Sequence, residues 1–299
     1  MKLIMDFKAD WHDMLKNFMR QEWGLDTRKI TEDLPVHYFN AAQRRIPMRP
    51  RALLISDAFC CPAEHLAGWM LIQEKVEDGQ DLTPHLSKLI DDIGKIDLML
   101  SDWGIYHLHL GTALQDHYVV RTGPLLFARV TQDKFYAIGI YNHNDWTDIT
   151  IVETIHRNWP ESIARWTLQG VQLAEHLSSD QRKILRKKKY NSFVQVKDGI
   201  TYGPIGGGYM FSGHSRFAIT EMDKEHDFLE CLERLIPELM PKLFPELEKH
   251  GYREGMDIRV SLVLTDLAYV AHFTEYGITT TLQKRHPGPW RAVVSKKPN

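Results

Sequence analysis

Apolar positions recur along this chain in two rhythms, and the change between them outlines its organisation. Near the start the rhythm is helical. Phe7, Trp11, Leu15 and Phe18 fall three or four apart, on one face of a helix that Gly24 is suited to end. An aromatic stripe of this kind reads as core packing. Residues 63–77 repeat the pattern, and residues 83–93 repeat it again behind an Asp-Gly-Gln turn. The run 52–56 predicts one strand between these helices.

From residue 97 the rhythm shortens to two. Runs 105–110, 125–130 and 135–141 have strand length, and Thr122-Gly123-Pro124 and Thr131-Gln132-Asp133-Lys134 part them. Alternation puts His107 and His109 on one face and Tyr106, Leu108 and Leu110 on the other. That contrast predicts a sheet with one face on a core and one open. The third run ends in Tyr141-Asn142-His143, where the same alternation gives Tyr141 and His143 a common face. Arg121 lies just before the second run. In a three-strand meander these residues converge, and that convergence is the expected active site.

Residues 146–157 predict one more strand or a helix start. Asn158-Trp159-Pro160-Glu161 is a helix opening, with Pro where the first turn tolerates a missing N–H. The helix after it would carry Ile163, Trp166, Val171, Ala174 and Leu177 inward. Ser178-Ser179-Asp180 then caps the basic segment QRKILRKKKYNSFVQVK. Runs 193–196 and 209–211 read as strands around Gly203-Pro204-Ile205-Gly206-Gly207-Gly208. No Lys-Ser, Lys-Thr or helix-opening GxGxxG accompanies those glycines, so a turn or loop fits better than an anion nest. Residues 223–250 predict an acidic helical region broken by Pro237, Pro241 and Pro245. Runs 259–264, 268–273 and 279–282 close the chain as strands, before a mobile basic tail over 284–299. The pattern is α+β. It reads as a helical N-terminal region (1–95), a small antiparallel sheet carrying the site (96–158), and a C-terminal α+β half (159–299) with its basic segment at 182–197.

Composition narrows the setting. At 299 residues, with 43% hydrophobic and 25% charged positions, the chain can bury a large core. A formal charge of -2 gives no global pull toward nucleic acid or anionic lipid, so attraction must be local. Two stretches supply it. Arg44, Arg45, Arg49 and Arg51 crowd RRIPMRPR, as a solvated rim or as forks for phosphate oxygens. The run containing Lys183, Arg186, Lys187, Lys188 and Lys189 is a solvated helix face or a nucleic-acid contact. Three cysteines, Cys60, Cys61 and Cys231, make no disulfide framework, and no apolar stretch approaches bilayer length. A soluble cytoplasmic protein with no membrane partner is expected.

Three chemistries fit the polar residues. His107-x-His109 with His143 could hold zinc or another divalent metal, with a nearby carboxylate, as a hydrolase or nuclease. Metal-free cleavage of RNA needs a base for the 2′-OH, a cation for the phosphate and an acid for the leaving oxygen, and no cofactor. His143 suits proton transfer, Arg121 suits phosphate, and Tyr141, His107 or His109 suit the remaining transfer. The third is a non-catalytic nucleic-acid or protein-binding module.

The succession of a strand, Arg121 ahead of Leu125-Leu126-Phe127, a charged turn, and a strand ending in Tyr141-Asn142-His143 resembles the sheet of RelE/YoeB-type (barnase/RelE-like) endoribonuclease toxins over residues 97–146. The resemblance implies a metal-independent endoribonuclease, toxin-like or a phage-defence effector. It also implies RNA, on the ribosome, as substrate and a protein antitoxin or inhibitor as partner. Arg121 matches the arginine at the start of one central strand, and His143 the histidine at the end of the next. Asn144 stands where some members place a tyrosine, and Tyr141 is the substitute. The middle block holds more acids than bases. RNA affinity would therefore rest on Arg44, Arg45, Arg49 and Arg51 or on Lys187, Lys188 and Lys189.

Overall fold

A computed structural model describes residues 2–30 and 33–284. Most of the tail expected over 284–299 lies outside these residues. In chain order the elements begin with β1 (Leu3–Ile4), α1 (Phe7–Gln21), α2 (Leu34–Gln43), β2 (Ala52–Ile55), α3 (Leu66–Asp78) and α4 (Leu98–Trp103). There follow β3 (Ile105–His109), β4 (Leu114–Gln115), β5 (Tyr118–Val119), β6 (Leu125–Val130), β7 (Lys134–Tyr141), α5 (Thr150–Asn158) and α6 (Ser179–Lys187). The last are β8 (Val194–Gln195), β9 (Thr201–Tyr202), α7 (Arg216–Lys249), β10 (Ile258–Leu264), β11 (Ala268–Phe273) and β12 (Ile278–Lys284). The class is α+β. Two compact units divide the chain at other points than residues 95 and 158: one comprises Met1–Phe39 with Thr220–Asn299, the other Asn40–Ile219.

The first unit sets the sheet β1-β10-β11-β12 beside α1. Asp6 caps α1 by accepting from the Ala9 N–H, and Phe7, Trp11, Leu15 and Met19 form its buried stripe. The break expected at the prolines does not occur. Pro237, Pro241 and Pro245 sit inside a continuous α7, four apart on its exposed side. The carbonyls that lose an N–H partner there belong to the same wet face, where water can bond them.

The second unit is built on the sheet β2-β7-β6-β3. It is mixed rather than purely antiparallel, because β2 runs parallel to β7 while β3, β6 and β7 form the expected meander. Both its faces carry a core, which corrects the expectation of one open face. Tyr106, Leu108, Leu126, Phe135 and Ala137 pack with Trp69, Ile72 and Val76 of α3. Ile105, Leu125, Phe127, Tyr136 and Ile138 pack on the other side with Ile151, Val152 and Ile155 of α5 and with Met99 and Trp103 of α4. Each large side chain so buried contributes roughly 1.5–3 kcal/mol. A ladder hydrogen bond nets only about 1 kcal/mol, so the contents of the two faces set the register.

One bulge matters for the site. Phe127 faces Gly139 and Ala128 faces Ala137, so Ile138 is the extra residue. It flips the alternation, and Tyr141 joins the face of His107 while Ile140 goes to the other. Gly139 is required beneath it, since a Cβ there would meet the Tyr141 ring at 2.9 Å.

Several expected elements are irregular instead. Residues 83–93 form two 3-10 turns, Thr83–His85 and Lys88–Asp91, and the Leu89, Ile90 and Asp92 carbonyls there accept from Arg44 and Arg45. The helix expected after Asn158 reduces to the turns Pro160–Ser162 and Ala164–Trp166. Beyond them Thr167 bridges Tyr202 and the Leu168 N–H reaches the Thr201 carbonyl, so the hairpin β8–β9 claims that backbone. Residues 146–157 resolve as the start of α5. Residues 209–211 enter a tight turn, not a strand. The glycine cluster is a loop, as expected. Gly206 presses its backbone onto α4, where a Cβ would lie 2.0 Å from the Leu100 carbonyl oxygen.

Candidate active site in a histidine-lined cavity

The sheet face shared by His107 and His109 is sealed by α4 and α5 except at the far end of β3. There a cavity of about 450 Å³ opens. His107 and His109 enter it from β3, and His143, Asn144 and Trp146 from the chain after β7. Asp97, Leu98 and Met99 come from the start of α4, Lys183, Arg186 and Lys187 from α6, and Arg44, Leu89, Ile90, Lys95 and Ile96 add to the wall with Ser87 and Thr147. The three histidines expected to converge in the meander thus share one cavity, with His143 presented by the turn beyond β7.

Local chemistry fixes each group. The Asp145 carboxylate accepts from the Asn142 N–H at 2.8 Å, which closes the turn presenting His143. The His143 ring stacks on Trp146 at 5.8 Å and lies 6.2 Å from the His109 ring. Asp97 caps α4 with one oxygen, accepting from the Met99 and Leu100 N–H groups. Its other oxygen stands 3.6 Å from His107 Nδ1. That is too long for a hydrogen bond, yet near enough to favour a proton on Nδ1 and leave Nε2 as acceptor. The His107 ring meets Trp146 edge-on at 4.6 Å. Burial lowers the His107 pKa, with Asp97 opposing.

His109 is set differently. Its Nδ1 accepts the Thr122 N–H at 3.2 Å, so the neutral ring carries its proton on Nε2 as a donor. Burial, with Arg121 next, pushes its pKa down to about 3. Behind it, His85 donates from Nδ1 to the His109 carbonyl at 2.8 Å and fixes the end of the strand. His109 is therefore a neutral hydrogen-bond donor near pH 7.

The cations are distributed otherwise than the sequence implied. Arg121 is not in the cavity wall: it donates to the Leu86 carbonyl at 2.8 Å and lies 5.4 Å over the Tyr118 ring. Tyr141 shares the histidine face but stacks on Phe127 at 4.9 Å and bonds Thr154, outside the wall. Arg44 donates to the Asn40, Leu89 and Asp92 carbonyls. Arg45 reaches Ala41, Ile90 and Asp91, and Arg51 reaches Thr131, Pro47 and Arg49. Of that cluster only Arg44 touches the cavity, and it is buried; Arg49 is half-buried. The basic run supplies Lys183 and Lys187, whereas Lys188 and Lys189 lie outside the wall.

Arg186 holds that run in place. Its Nε donates to Asp102 at 2.9 Å, a second nitrogen bonds the Trp146 carbonyl, and the guanidinium covers the Trp103 ring at 4.3 Å. The Ser178–Gln181 capping box starts α6, so Lys183 and Lys187 arrive at a fixed position. Asp97 was missed as a site residue in the sequence. Its signal was an acid before an apolar run, ten residues upstream of His107.

Comparison with family models, curated proteins and solved structures finds no match. The cavity must be read from its own chemistry. Among the described residues no group of three or more His, Cys, Asp or Glu side chains is placed to hold a metal ion. No described helix is long and apolar enough to cross a membrane, and the three cysteines are unpaired.

Proposed function

We propose that the unit Asn40–Ile219 is a metal-independent endoribonuclease, with the histidine-lined cavity as its active site. His107, oriented by Asp97, takes the proton of a ribose 2′-OH at Nε2. The 2′-oxygen attacks the adjacent phosphorus, the bond to the 5′-oxygen breaks, and His143 gives that oxygen its proton. A 2′,3′-cyclic phosphate and a 5′-hydroxyl result. Charge on the non-bridging oxygens meets the Nε2–H of neutral His109 and the ammonium groups of Lys183 and Lys187. The phosphate-holding part expected of Arg121 passes to these lysines.

The observation that carries the reading is the meeting of three imidazoles in different settings with three lysines, Lys95, Lys183 and Lys187, around one cavity of about 450 Å³. That volume suits a nucleotide-sized ligand. The test is incubation with RNA, with and without chelator, followed by analysis of the new ends. Cyclic-phosphate ends formed equally in chelator are expected. Cleavage that chelator abolishes would assign the three histidines to a metal instead.

A further inference from the structure

Helix α6 and the segments after it present a surface that the proposed reaction draws on only at Lys183 and Lys187. Residues 181–197 hold basic side chains and no acid. Arg182 and Arg186 turn inward: Arg182 reaches Ser192 and the Phe193 carbonyl, and Arg186 holds Asp102. Lys197 pairs with Glu153 at 3.4 Å; Lys183, Lys187, Lys188 and Lys189 remain, and among the described residues none of them pairs with a carboxylate.

Apolar side chains stand beside them. Tyr190 is 60% exposed and Phe211 wholly so. Phe211 occupies the tip of a turn closed by the Gly213 N–H on the Met210 carbonyl at 2.8 Å, with Gly213 in the left-handed region at φ 77°. Asn191 ties the turn to the end of α6, its amide donating to the Tyr209 carbonyl and accepting the Tyr209 N–H. The Lys189 stem packs on Gly213. Turn tips ordinarily take small polar residues, and a phenyl ring in water adds nothing to folding. An exposed ring at the tip of a closed turn beside unpaired lysines is the pairing that grips single-stranded nucleic acid, by base stacking and phosphate contacts. Lys187 belongs both to this surface and to the cavity wall.

We propose that Tyr190, Phe211 and Lys187, Lys188 and Lys189 form a track for single-stranded RNA leading to the cavity. Bases stack on the two rings while phosphates follow the lysines. A duplex does not fit, because its bases are already stacked on one another. The destination of the track rests on the ribonuclease reading; the binding does not.

Binding is measured on the full chain by fluorescence anisotropy with a short 2′-O-methyl oligouridine, which lacks the attacking hydroxyl and cannot be cleaved. The Phe211→Ala variant should bind roughly 5- to 100-fold more weakly. Replacing Lys187, Lys188 and Lys189 by alanine together should flatten the salt dependence by about two units of log–log slope. A duplex of equal length should bind more weakly than the single strand. Parent-like affinity in Phe211→Ala, or a preference for duplex or for phosphatidylserine vesicles, overturns the track. Binding as described by a chain that leaves ordinary RNA intact sinks the reaction and sustains the track.

Discussion

Residues 44–51 and residues 182–189 are both basic and dense, and the fold treats them in opposite ways. In the first stretch the guanidinium groups of Arg44, Arg45 and Arg51 bond carbonyls of their own unit, those of the irregular segment 86–92 and the turn at Thr131 as well as nearby ones at Asn40, Ala41, Pro47 and Arg49. They take the place of the helix that residues 83–93 do not form. In the second stretch, arginines four apart go inward to Asp102 and Trp103, and lysines four apart stay in water. The difference follows from the head groups. A planar fork with five donors is weakly hydrated and can satisfy several fixed acceptors, while an ammonium is a strongly hydrated point charge. Charge density along a chain says little about function until arginine is separated from lysine.

The contrast breaks most sharply at Arg186. Arg186→Ala leaves Asp102 buried without its cation, and a loss of about 3–5 kcal/mol is expected in urea unfolding. Arg44→Ala removes buried hydrogen bonds to the Leu89 and Asp92 carbonyls, which keep only the Asp92 and Lys95 N–H groups, and should cost about 1–3 kcal/mol. A surface role for either arginine would leave both midpoints unchanged.

The imidazoles give the next effect. His109 has a folded pKa near 3 against an ordinary value near 6.5, so the unfolded chain binds the proton more readily. Its contribution is present above about pH 6.5 and is lost as the pH falls toward 3. Between pH 7 and pH 5 that loss is about 2 kcal/mol for this residue. A His109→Gln chain should lose correspondingly less stability over the same interval in urea titrations.

Lysine changes should leave the fold alone. Lys183→Ala and Lys187→Ala should shift unfolding by less than about 0.5 kcal/mol yet slow RNA cleavage roughly 10- to 100-fold, the worth of a charge-assisted contact. Equal effects on stability and rate would place them with the arginines. Phe211→Ala should be the quietest in a melting experiment, since the ring touches no core.

Much of the frame was legible in the sequence. Period-two runs located β3, β6 and β7, and alternation paired His107 with His109 because side-chain direction in a strand is local, whereas His143 arrives from the turn after the bulged β7. Ser178 announced α6 for the same reason. What escaped depends on partners distant in sequence. Whether Arg121 reaches the cavity turns on where the Leu86 carbonyl lies, and no pattern near residue 121 encodes that. The bulge at Ile138 hid behind an unbroken apolar run, and the short α4 that Asp97 caps carried no pattern long enough to read as a helix. The second core on the histidine face came from α4 and α5, whose packing direction period alone does not give.

The most direct measurement compares the RNA-cleavage rate of the parent with those of His107→Ala and His143→Ala, in chelator, at matched folded fraction. Loss of proton transfer should slow each variant by about 10²- to 10⁴-fold with no new ends of another kind. Cleavage at the parent rate in either variant would contradict the assignment of this cavity as the catalytic centre.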